Sequence, residues 1–413
     1  MRGKHLCFHL ASDVNEGQYR RIRKLQNDFV RLTGFRYLEI QVVGILAFLK
    51  GHRSLLQTPS AVAGGRKLLL PILLPGARRL GLVRFLNHAL CVLAGAAAGL
   101  WYRPDTCIGE TQASYSCLQG VRLASRTARV YGDLHGAFAE EVAYSSGAQP
   151  WAAQFIAQAD RRERDLLELA DALISQSVEM FLHLEEKHRM SLGCKVVYQC
   201  GVDTEIFAFS ASSRKAVRSE LGIGESDTVF VYLGGMHSWQ MIDQVFQIFA
   251  QYLSLAQGRS SKLLFLTSEA VGSVLACAAR FGIPPEALRV RCVPHAEVPG
   301  FLSACDLGFL LREDTTLNRV ACPTKLGEYL ACGVPVVSTE IARHWSWTRE
   351  NPAAVCIVDH RDPAAAGAIA GYLEEMGGRV TRAVREECCA IAARELSMQY
   401  DFRNLESFIH EKG

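Results

Sequence analysis

The sequence has none of the cysteine spacings that bind metals or exchange disulfides. Its 413 residues include 14 cysteines, yet no two of them form a C-x-x-C pair. This absence argues against a zinc ribbon and against a thioredoxin-type site. Free thiols in such number are simplest to explain in a reducing compartment, so the sequence favours a cytoplasmic protein.

Charge and missing motifs argue against other classes. A formal net charge of +3 is too small to indicate nucleic-acid binding by itself. No G-x-G-x-x-G follows a predicted strand, which argues against a dinucleotide oxidoreductase. No carboxylate cluster with metal-ligand spacing stands out. The sequence therefore predicts no required metal or cofactor and no nucleic-acid partner.

Long apolar runs are also scarce. The most apolar long run, residues 80–100, is rich in alanine and glycine but contains Arg84, Asn87 and His88. A membrane-spanning helix needs about 20 consecutive apolar residues with few polar interruptions. We therefore expect this run to form a buried helix of a domain, with membrane contact as the alternative.

The chain does contain a repeated alternation of apolar strands and amphipathic helices. Residues 5–11 predict a buried strand, residues 12–17 a polar turn, and residues 19–34 an amphipathic helix. This order opens a doubly wound α/β domain, whose ligands bind beyond the carboxyl ends of the strands. A chain of 413 residues is long enough for two or three domains.

The most informative segment is Cys322-Pro-Thr-Lys-Leu-Gly-Glu-Tyr-Leu-Ala-Cys-Gly-Val-Pro-Val-Val-Ser338. Pro323 suits the first helical position, where its missing N–H costs nothing. Gly333 falls just past the predicted helix end, and Pro335 prevents further helix. Residues 334–338 then have the apolar pattern of a short strand. The segment therefore predicts a helix followed directly by a buried strand.

Polar residues share one face of this predicted helix. Thr324 and Glu328 are four residues apart, and Lys325 and Glu328 are three apart, so the three are neighbours. A helix N-terminus attracts phosphate through its free N–H groups and partial positive charge. Glu328, about 6 Å deeper along the axis, could accept hydrogen bonds from a ribose diol. The face fits a nucleotide diphosphate, although an ordinary surface helix explains this stretch equally well.

The same segment resembles the nucleotide-sugar helix of family 4 glycosyltransferases, in the branch with a Pro-Thr-Lys-x-x-Glu-Tyr-Leu helix. The likeness continues in Asp306-Leu-Gly-Phe-Leu-Leu-Arg-Glu313 and in the Gly201-Val-Asp203 turn. It implies the GT-B fold, an α/β architecture of two Rossmann-like doubly wound domains that face a central cleft. We expect an acceptor domain at residues 1–207, a nucleotide-sugar domain at 208–397, and a C-terminal helix at 398–413 that packs back on the first domain.

The resemblance implies a UDP- or GDP-linked sugar as donor in the second domain. The predicted contacts are Pro323, Thr324, Lys325, Gly234 and Gly235 for the diphosphate, Glu328 for the ribose, and Pro294 and His295 for the base. The family commonly brings an Arg and a Lys from the loop and helix after the diglycine, but residues 231–257 contain neither. We expect Lys325 to supply the missing charge.

The sharpest departure from the family lies just before this helix. The family usually has two glutamates eight residues apart, the first of which touches the sugar. Counting back from Glu328 reaches Val320, so no carboxylate is present. Asn318 and Arg319 are the favoured replacements and are predicted as catalytic contacts. The alternative is that the site has lost catalysis.

A second candidate site lies in the first domain. Gly132-Asp-Leu-His-Gly136 resembles the Asp-x-His-Gly segment of some family 4 enzymes, whose histidine lies near the transferred sugar. The resemblance makes His135 a predicted catalytic residue, with Asp133 and Gly136 on the acceptor side. A histidine that only caps the next helix or bonds a backbone carbonyl is the alternative.

The first predicted helix and the loop before it contain the remaining candidate functional residues. The loop is predicted to place Asn15 and Gly17 on the acceptor side, although the double glycine usual in the family is absent. Basic residues lie off the apolar stripe of the helix, namely Arg20, Arg21, Arg23, Lys24 and Arg31. They predict either a solvated face or a peripheral contact with the anionic inner face of the cytoplasmic membrane. The second reading fits the lipid-linked acceptors of many enzymes that the chain resembles.

These features predict a glycosyltransferase that moves a sugar from a nucleotide-diphosphate sugar to a hydroxyl acceptor, in glycan or cell-surface polysaccharide synthesis. Retention of configuration is implied by the resemblance alone. Two alternatives stay open: a non-catalytic GT-B-like protein that binds a nucleotide sugar or a partner, and a GT-B sugar-nucleotide epimerase, which needs no acceptor. The acceptor, a glycan or a lipid-linked molecule, is not identified by the sequence.

Overall fold

The computed structural model describes residues 3–10, 16–45, 48–49, 56–57, 62, 64–73, 81–110, 114–146, 149, 152–236, 238–256, 260–341 and 345–412. The chain forms two compact units. The first comprises Met1–Cys200, Val320–Cys322 and Asp401–Gly413, and the second comprises Gly201–Arg319 and Pro323–Tyr400. The first division falls after Cys200, seven residues before the predicted domain end at residue 207.

The first unit is built on one sheet. Its strands are β1 (Lys4–Leu10), β2 (Arg36–Gly44), β3 (Leu56–Gln57), β4 (Arg66–Ile72), β5 (Thr106–Glu110), β6 (Arg129–Leu134), β7 (Ala172–Ser175) and β8 (Lys195–Val197). They are ordered β3-β4-β2-β1-β5-β6-β7-β8, and all neighbours are parallel except β3 and β4. The chain moves outward from β1 in one direction and then in the other, so the switch point lies between β1 and β5.

Helices connect these strands, as parallel pairing requires. They are α1 (Glu16–Thr33), α2 (Gly81–Tyr102), α3 (Tyr115–Ala124), α4 (Phe138–Ser146), α5 (Ala152–Leu169) and α6 (Val178–His188). The core between sheet and helices includes Leu6 and Phe8 of β1 and Leu118 of α3, all fully buried. The strands near the middle of the sheet are apolar on both faces because both are covered.

Helix α2 differs from the buried helix predicted for residues 80–100. Its Leu82 and Leu93 side chains are 71% and 68% exposed, whereas Cys91 and Ala98 are buried. The prediction is therefore wrong for the outer face of this helix. By length and composition α2 could cross a membrane, and within the described ranges no other helix meets that criterion.

The second unit repeats the architecture with a smaller sheet. Its strands are β9 (Thr228–Leu233), β10 (Ser261–Leu266), β11 (Leu288–Arg291), β12 (Leu307–Leu310), β13 (Val336–Ser338) and β14 (Val355–Ile357). They are ordered β11-β10-β9-β12-β13-β14, and every pairing is parallel. The switch point lies between β9 and β12. Two parallel doubly wound sheets confirm the predicted α/β class.

The helices of this unit are α7 (Ala211–Leu221), α8 (Ile242–Leu255), α9 (Val271–Ala279), α10 (Val298–Ser303), α11 (Thr316–Arg319), α12 (Thr324–Ala331), α13 (Ala365–Glu375) and α14 (Arg382–Glu395). A 3-10 turn, Ser238–Gln240, precedes α8. The core is aromatic at its centre, where the Phe230 ring stacks on Phe309 at 5.4 Å between centroids and meets Phe249 edge-on at 5.4 Å.

The last helix, α15 (Met398–Lys412), belongs to the first unit from Asp401 onward. Its Leu405 and Phe408 are buried in a core cluster with Phe29 of α1 and Ile174 of β7. Asp401 accepts a hydrogen bond from the Gln199 N–H at 2.8 Å. These contacts anchor the end of the chain on the first unit.

Candidate functional site

The carboxyl ends of β9 and β12 lie side by side in the second sheet, on either side of its switch point. Gly234 follows β9 directly, and Arg312 stands two residues after the end of β12. Ligands of open α/β sheets bind in the crevice outside the strand ends at such a point. A donor site in this unit is therefore expected in the crevice beyond the ends of β9 and β12.

The Lys325 side chain reaches this crevice from α12. Its ammonium donates to Gln240 Oε1 at 2.7 Å and lies 4.7 Å from the centroid of the Tyr232 ring. Gly234 has a φ of 134°, and a Cβ added there would lie 3.0 Å from Lys325 Nζ. A glycine at this position therefore allows the positive φ and leaves space for the close approach of the ammonium.

Helix α12 points its N-terminus at the same region. Pro323 is the N-cap residue, with φ −73° and ψ 111°, and Thr324 is the first helical residue. The prediction of Pro323 at the first helical position is thus wrong by one residue. Pro323 makes no side-chain hydrogen bond that caps the helix, and Thr324 is exposed. A helix N-terminus whose N-cap residue is a proline, which cannot cap it, is suited to an anion.

Arg312 is a cation that the sequence reasoning missed. Its guanidinium donates to the Trp239 carbonyl at 3.3 Å and to the Leu311 carbonyl at 3.1 Å. Burial lowers the pKa of Lys325 well below its ordinary value, and the Arg312 charge lowers it further, whereas Glu328 opposes the change. Two neighbouring cations in a partly buried place favour the entry of an anion. The pair supplies positive charge that the loop after β9 lacks.

The predicted ribose and base residues also come together. Glu328 Oε1 lies 3.4 Å from His295 Nε2, with the Glu328 side chain 15% exposed and that of His295 48% exposed. Phe207 meets the His295 ring edge-on, with centroids 5.2 Å apart. Pro294 is exposed in the adjoining turn, where its carbonyl accepts from the Glu297 N–H at 2.9 Å. The group forms an exposed ledge beside the helix.

The two residues predicted to replace the missing glutamate are already engaged within their own segment. Asn318 Nδ2 donates to the Glu313 carbonyl at 2.9 Å, and Arg319 Nε donates to Asp314 Oδ1 at 2.5 Å. Val320 is 1% exposed and lies in the core of the first unit. The position that carries a glutamate in the resembled family is therefore an apolar core position in this chain.

The first unit contains a buried ion pair at the end of β6. Arg21 donates Nη1 and Nη2 to the two Asp133 oxygens at 2.8 and 2.9 Å and also donates to the Tyr198 carbonyl. His135 Nε2 lies 2.8 Å from Asp133 Oδ2. Burial alone would raise the pKa of Asp133, but the Arg21 charge and then His135 hold it well below its ordinary value. Asp133 is therefore a carboxylate that orients His135.

A neutral layer lies beneath this pair. Glu110, at the end of β5, is completely buried; its Oε1 accepts from Gln26 Nε2 at 2.7 Å. Its Oε2, 4.0 Å from His135 Nε2, has no hydrogen-bond partner within the described part of the chain. Burial and then the Asp133 charge raise the pKa of Glu110 well above its ordinary value. Burial lowers the pKa of His5, bonded to Gln26 at 2.9 Å, to about 4.

These groups could in principle be metal ligands, because one ligand atom each of Glu110, Asp133 and His135 lie within 4.8 Å of one another. The donor set does not fit a cation. Both Asp133 oxygens already accept from Arg21, whose fixed positive charge would repel a metal at this distance. The cluster is better described as a positioned histidine on a buried ion pair.

The structure changes the reading of other first-domain predictions. Gly136 follows β6 with a φ of 149°, a conformation open to glycine. Gly17 lies within α1 rather than in a loop, so its predicted loop position is wrong, and Asn15 lies outside the described residues. Arg21 is 4% exposed. It therefore does not belong to the basic surface predicted for this helix.

Comparison with known proteins adds the fold class. No protein-family model matches the sequence, and no curated protein matches it. A glycosyltransferase from Rickettsia africae is similar in structure, with a TM-score of 0.66 and 14% identity over 99% of this chain and 98% of the other. Anabaena HepE in complex with UDP and glucose gives 0.65 and 14% over 99% of each chain. The α,α-trehalose 6-phosphate synthase of Burkholderia multivorans gives 0.67 and 12% over 100% and 99%.

At such low identity the likeness establishes the fold and nothing finer. The chain has the GT-B fold, as the sequence predicted, and its structural neighbours are GT-B glycosyltransferases.

Proposed function

We propose that the protein is a glycosyltransferase that moves a sugar from a nucleotide diphosphate to a hydroxyl acceptor. The observation that carries the proposal is the convergence at the β9–β12 switch point. There Gly234 leaves room for the Lys325 ammonium, Arg312 adds a second cation, and α12 begins at the exposed Thr324. A diphosphate needs this concentration of positive charge and N–H groups.

The rest of the donor would extend along α12. Glu328, one turn deeper, would accept hydrogen bonds from the ribose, and His295 with Pro294 would flank the base. Gly235, whose carbonyl accepts from Tyr232 at 2.7 Å, would hold the diglycine turn against the diphosphate. The neighbour HepE was solved with UDP and glucose, so UDP sugars are the first donors to test.

The chemistry follows from where charge develops. Breaking the anomeric C–O bond leaves negative charge on the departing diphosphate. Arg312, Lys325 and the N-terminus of α12 would stabilise that charge more strongly in the transition state than in the bound donor, which is what lowers a barrier. No step in this scheme calls for a metal.

The first unit would supply the acceptor side. His135, held by Asp133, would orient the attacking hydroxyl or the transferred sugar, next to Gly136. Asn318 and Arg319 remain the proposed sugar contacts. The proposal also includes retention of configuration, a role in cell-surface polysaccharide synthesis, and a cytoplasmic location with peripheral attachment to the inner face of the membrane.

Thermal shifts against UDP-, GDP-, ADP- and dTDP-sugars test the donor site. A ligand at about 100 times its Kd stabilises a protein by about 2.7 kcal/mol. We expect one nucleotide class to shift the melting temperature, with the shift lost in Lys325→Ala and Glu328→Ala. The matched controls are Lys215→Ala and Glu220→Ala, two exposed positions on α7 of the same unit. No shift with any donor, or equal shifts in all four variants, would refute the site.

A second candidate is a GT-B-like protein that binds a nucleotide sugar without turnover. The burial of Val320, at the position where the resembled family has a glutamate, favours it. Incubation with the donor that gives a thermal shift separates the two. Donor hydrolysis or transfer, lost in Glu328→Ala, supports the transferase, whereas binding with no turnover across an acceptor panel supports the second candidate. Conversion of the donor alone to an epimer would instead indicate an epimerase.

A further inference from the structure

The outer face of α2 is a continuous apolar stripe. Its large side chains are between 37% and 71% exposed and follow helical spacing: Leu82, Phe85, Leu86, Leu90, Leu93, Leu100 and Trp101. From Leu82 to Trp101 the stripe runs about 29 Å at 1.5 Å per residue. Scattered exposed apolar residues are ordinary, but a contiguous row of this length marks a contact surface.

Two polar residues of the same helix, Asn87 and His88, face the protein. The Leu73 N–H donates to Asn87 Oδ1 at 2.9 Å, and His88 Nδ1 lies 2.8 Å from Ser116 Oγ of α3. Such an arrangement is the reverse of a soluble surface helix, whose apolar residues face the core. The inversion explains why the polar residues within residues 80–100 do not interrupt the exposed stripe.

Glycines at the contact between α2 and α3 fix the orientation of α2, with its large apolar side chains outward. A Cβ added to Gly95 would lie 2.0 Å from the Cys117 carbonyl oxygen, and one added to Gly120 would lie 2.0 Å from the Val92 carbonyl oxygen. Helices α2 and α3 are thus in backbone contact, which leaves no room for a large side chain between them. The helix therefore cannot rotate its leucines inward.

We infer that this stripe, Leu82 to Trp101, is a membrane-contact surface that lies in the headgroup–acyl boundary of an anionic bilayer. Charge complements such a surface, because α2 contains no acidic residue and the exposed Arg103 follows its end. Trp101 and Tyr102 lie at the same end, and such residues prefer the membrane interface.

A lipid surface fits the stripe better than a protein partner. Protein interfaces carry about one hydrogen bond per 100–200 Å², and among the seven stripe side chains only the Trp101 indole N–H can donate one. The helix would lie on the bilayer rather than cross it, because Cys91 and Ala98 on its inner face belong to the core of the first unit.

Vesicle binding of the full chain tests the inference. Sedimentation is measured with vesicles of phosphatidylcholine and phosphatidylglycerol at 70:30 and with phosphatidylcholine alone. We expect binding to the mixed vesicles that falls at least tenfold in the triple variant Leu93→Ser, Leu100→Ser, Trp101→Ser. The control carries Val271→Ser and Leu275→Ser on α9, also exposed apolar residues, and should bind like the unchanged protein.

Two further measurements keep the result interpretable. The nucleotide-sugar thermal shift should be unchanged in the α2 variant, which shows that it is folded and separates this inference from the donor site. Arg103→Glu should weaken binding to the mixed vesicles more than to phosphatidylcholine. Absence of vesicle binding by the unchanged protein, or equal binding of the α2 variant, would overturn the inference. So would a concentration-dependent dimer in solution that the same variant dissociates, since a second copy would then be the occupant.

Discussion

Removal of the Arg21 cation should strongly destabilise the protein, because it leaves the Asp133 carboxylate buried without a counter-ion. Both residues are almost fully buried, at 4% and 0% exposed, and two hydrogen bonds of 2.8 and 2.9 Å join them. Unit charges 4 Å apart attract by about 4 kcal/mol at an effective dielectric constant of 20. Breaking a buried pair costs about 3–5 kcal/mol. We expect Arg21→Met to lose stability within that range.

The loss should depend on pH in a defined direction. In the unchanged protein the pKa of Asp133 is depressed in the folded state, so the pair stabilises fully above the ordinary value of 3.8 and loses this contribution only in stronger acid. In Arg21→Met the cation is gone and burial raises the pKa of Asp133 instead. The variant then gains stability as pH falls, because the folded state takes up a proton.

Urea unfolding followed by circular dichroism at pH 7 and pH 5 measures both effects. The stability difference between Arg21→Met and the unchanged protein should be largest at pH 7 and smaller at pH 5. Arg23→Met, an exposed position on the same helix, is the control and should lie within about 0.5 kcal/mol of the unchanged protein. A loss below about 1 kcal/mol at pH 7, or one that grows toward pH 5, would refute the reasoning.

Gly234→Ala should weaken UDP binding at least tenfold in calorimetry, because the new Cβ would lie 3.0 Å from Lys325 Nζ. Gly222→Ala, at a left-handed position with open space around it, should leave UDP binding unchanged. Equal effects of the two substitutions would exclude a local cause. Gly120→Ala should cost about 1–3 kcal/mol in urea unfolding, because its Cβ would meet a backbone oxygen of α2 at 2.0 Å. Gly367→Ala in α13, with nothing within 4 Å, should be neutral or stabilising by up to about 1 kcal/mol, and a similar cost for both would contradict the packing. At a pH above the depressed pKa of Lys325, UDP binding should take up a proton, because the bound anion raises that pKa. The uptake appears in calorimetry as a binding heat that depends on the buffer and that Lys325→Met abolishes. A binding heat that is the same in all buffers would contradict this prediction.

Helix α12 could be predicted from the sequence because its signals are local. Pro323, Gly333 and the spacing of Lys325 and Glu328 all fall within a dozen residues, and helix and strand form there as expected. Gly333 has a φ of 68°, in the left-handed region that a helix end favours. Short-range periodicity carries enough information for an element of this kind.

Arg312 could not be recognised in the same way, although it is only thirteen residues from Lys325. Its place beside Gly234 depends on β9 and β12 being neighbours in the sheet, and strand order is a long-range property. The signal that could have found it is the topology: two strand ends at a switch point share one crevice. Any basic residue that closely follows one of these two strands is then a candidate for the site.

The predictions that Arg21 lies on a basic surface and that α2 is buried were wrong for a related reason. A basic residue off the apolar stripe of a helix is normally solvated. Arg21 is a core residue because its partners, Asp133 and the Tyr198 carbonyl, lie 112 and 177 residues away in the sequence. For α2 the apolar composition is the same whether the helix is buried or exposed. The glycine contacts with α3 decide which face turns outward, and those contacts exist only after the two helices meet.

The path of the chain has a consequence for recombination. The backbone passes from one unit to the other after Cys200, Arg319, Cys322 and Tyr400. Val320 sits between two stretches of the second unit, yet its carbonyl accepts from Ser177 Oγ of the first at 2.8 Å and its side chain fills the core there. A single-junction chimaera that swapped the carboxyl-terminal half would therefore import a foreign residue into the core of the first unit. A working exchange between relatives has to keep residues 320–322 and 401–412 with the amino-terminal half, as an inseparable set of three segments.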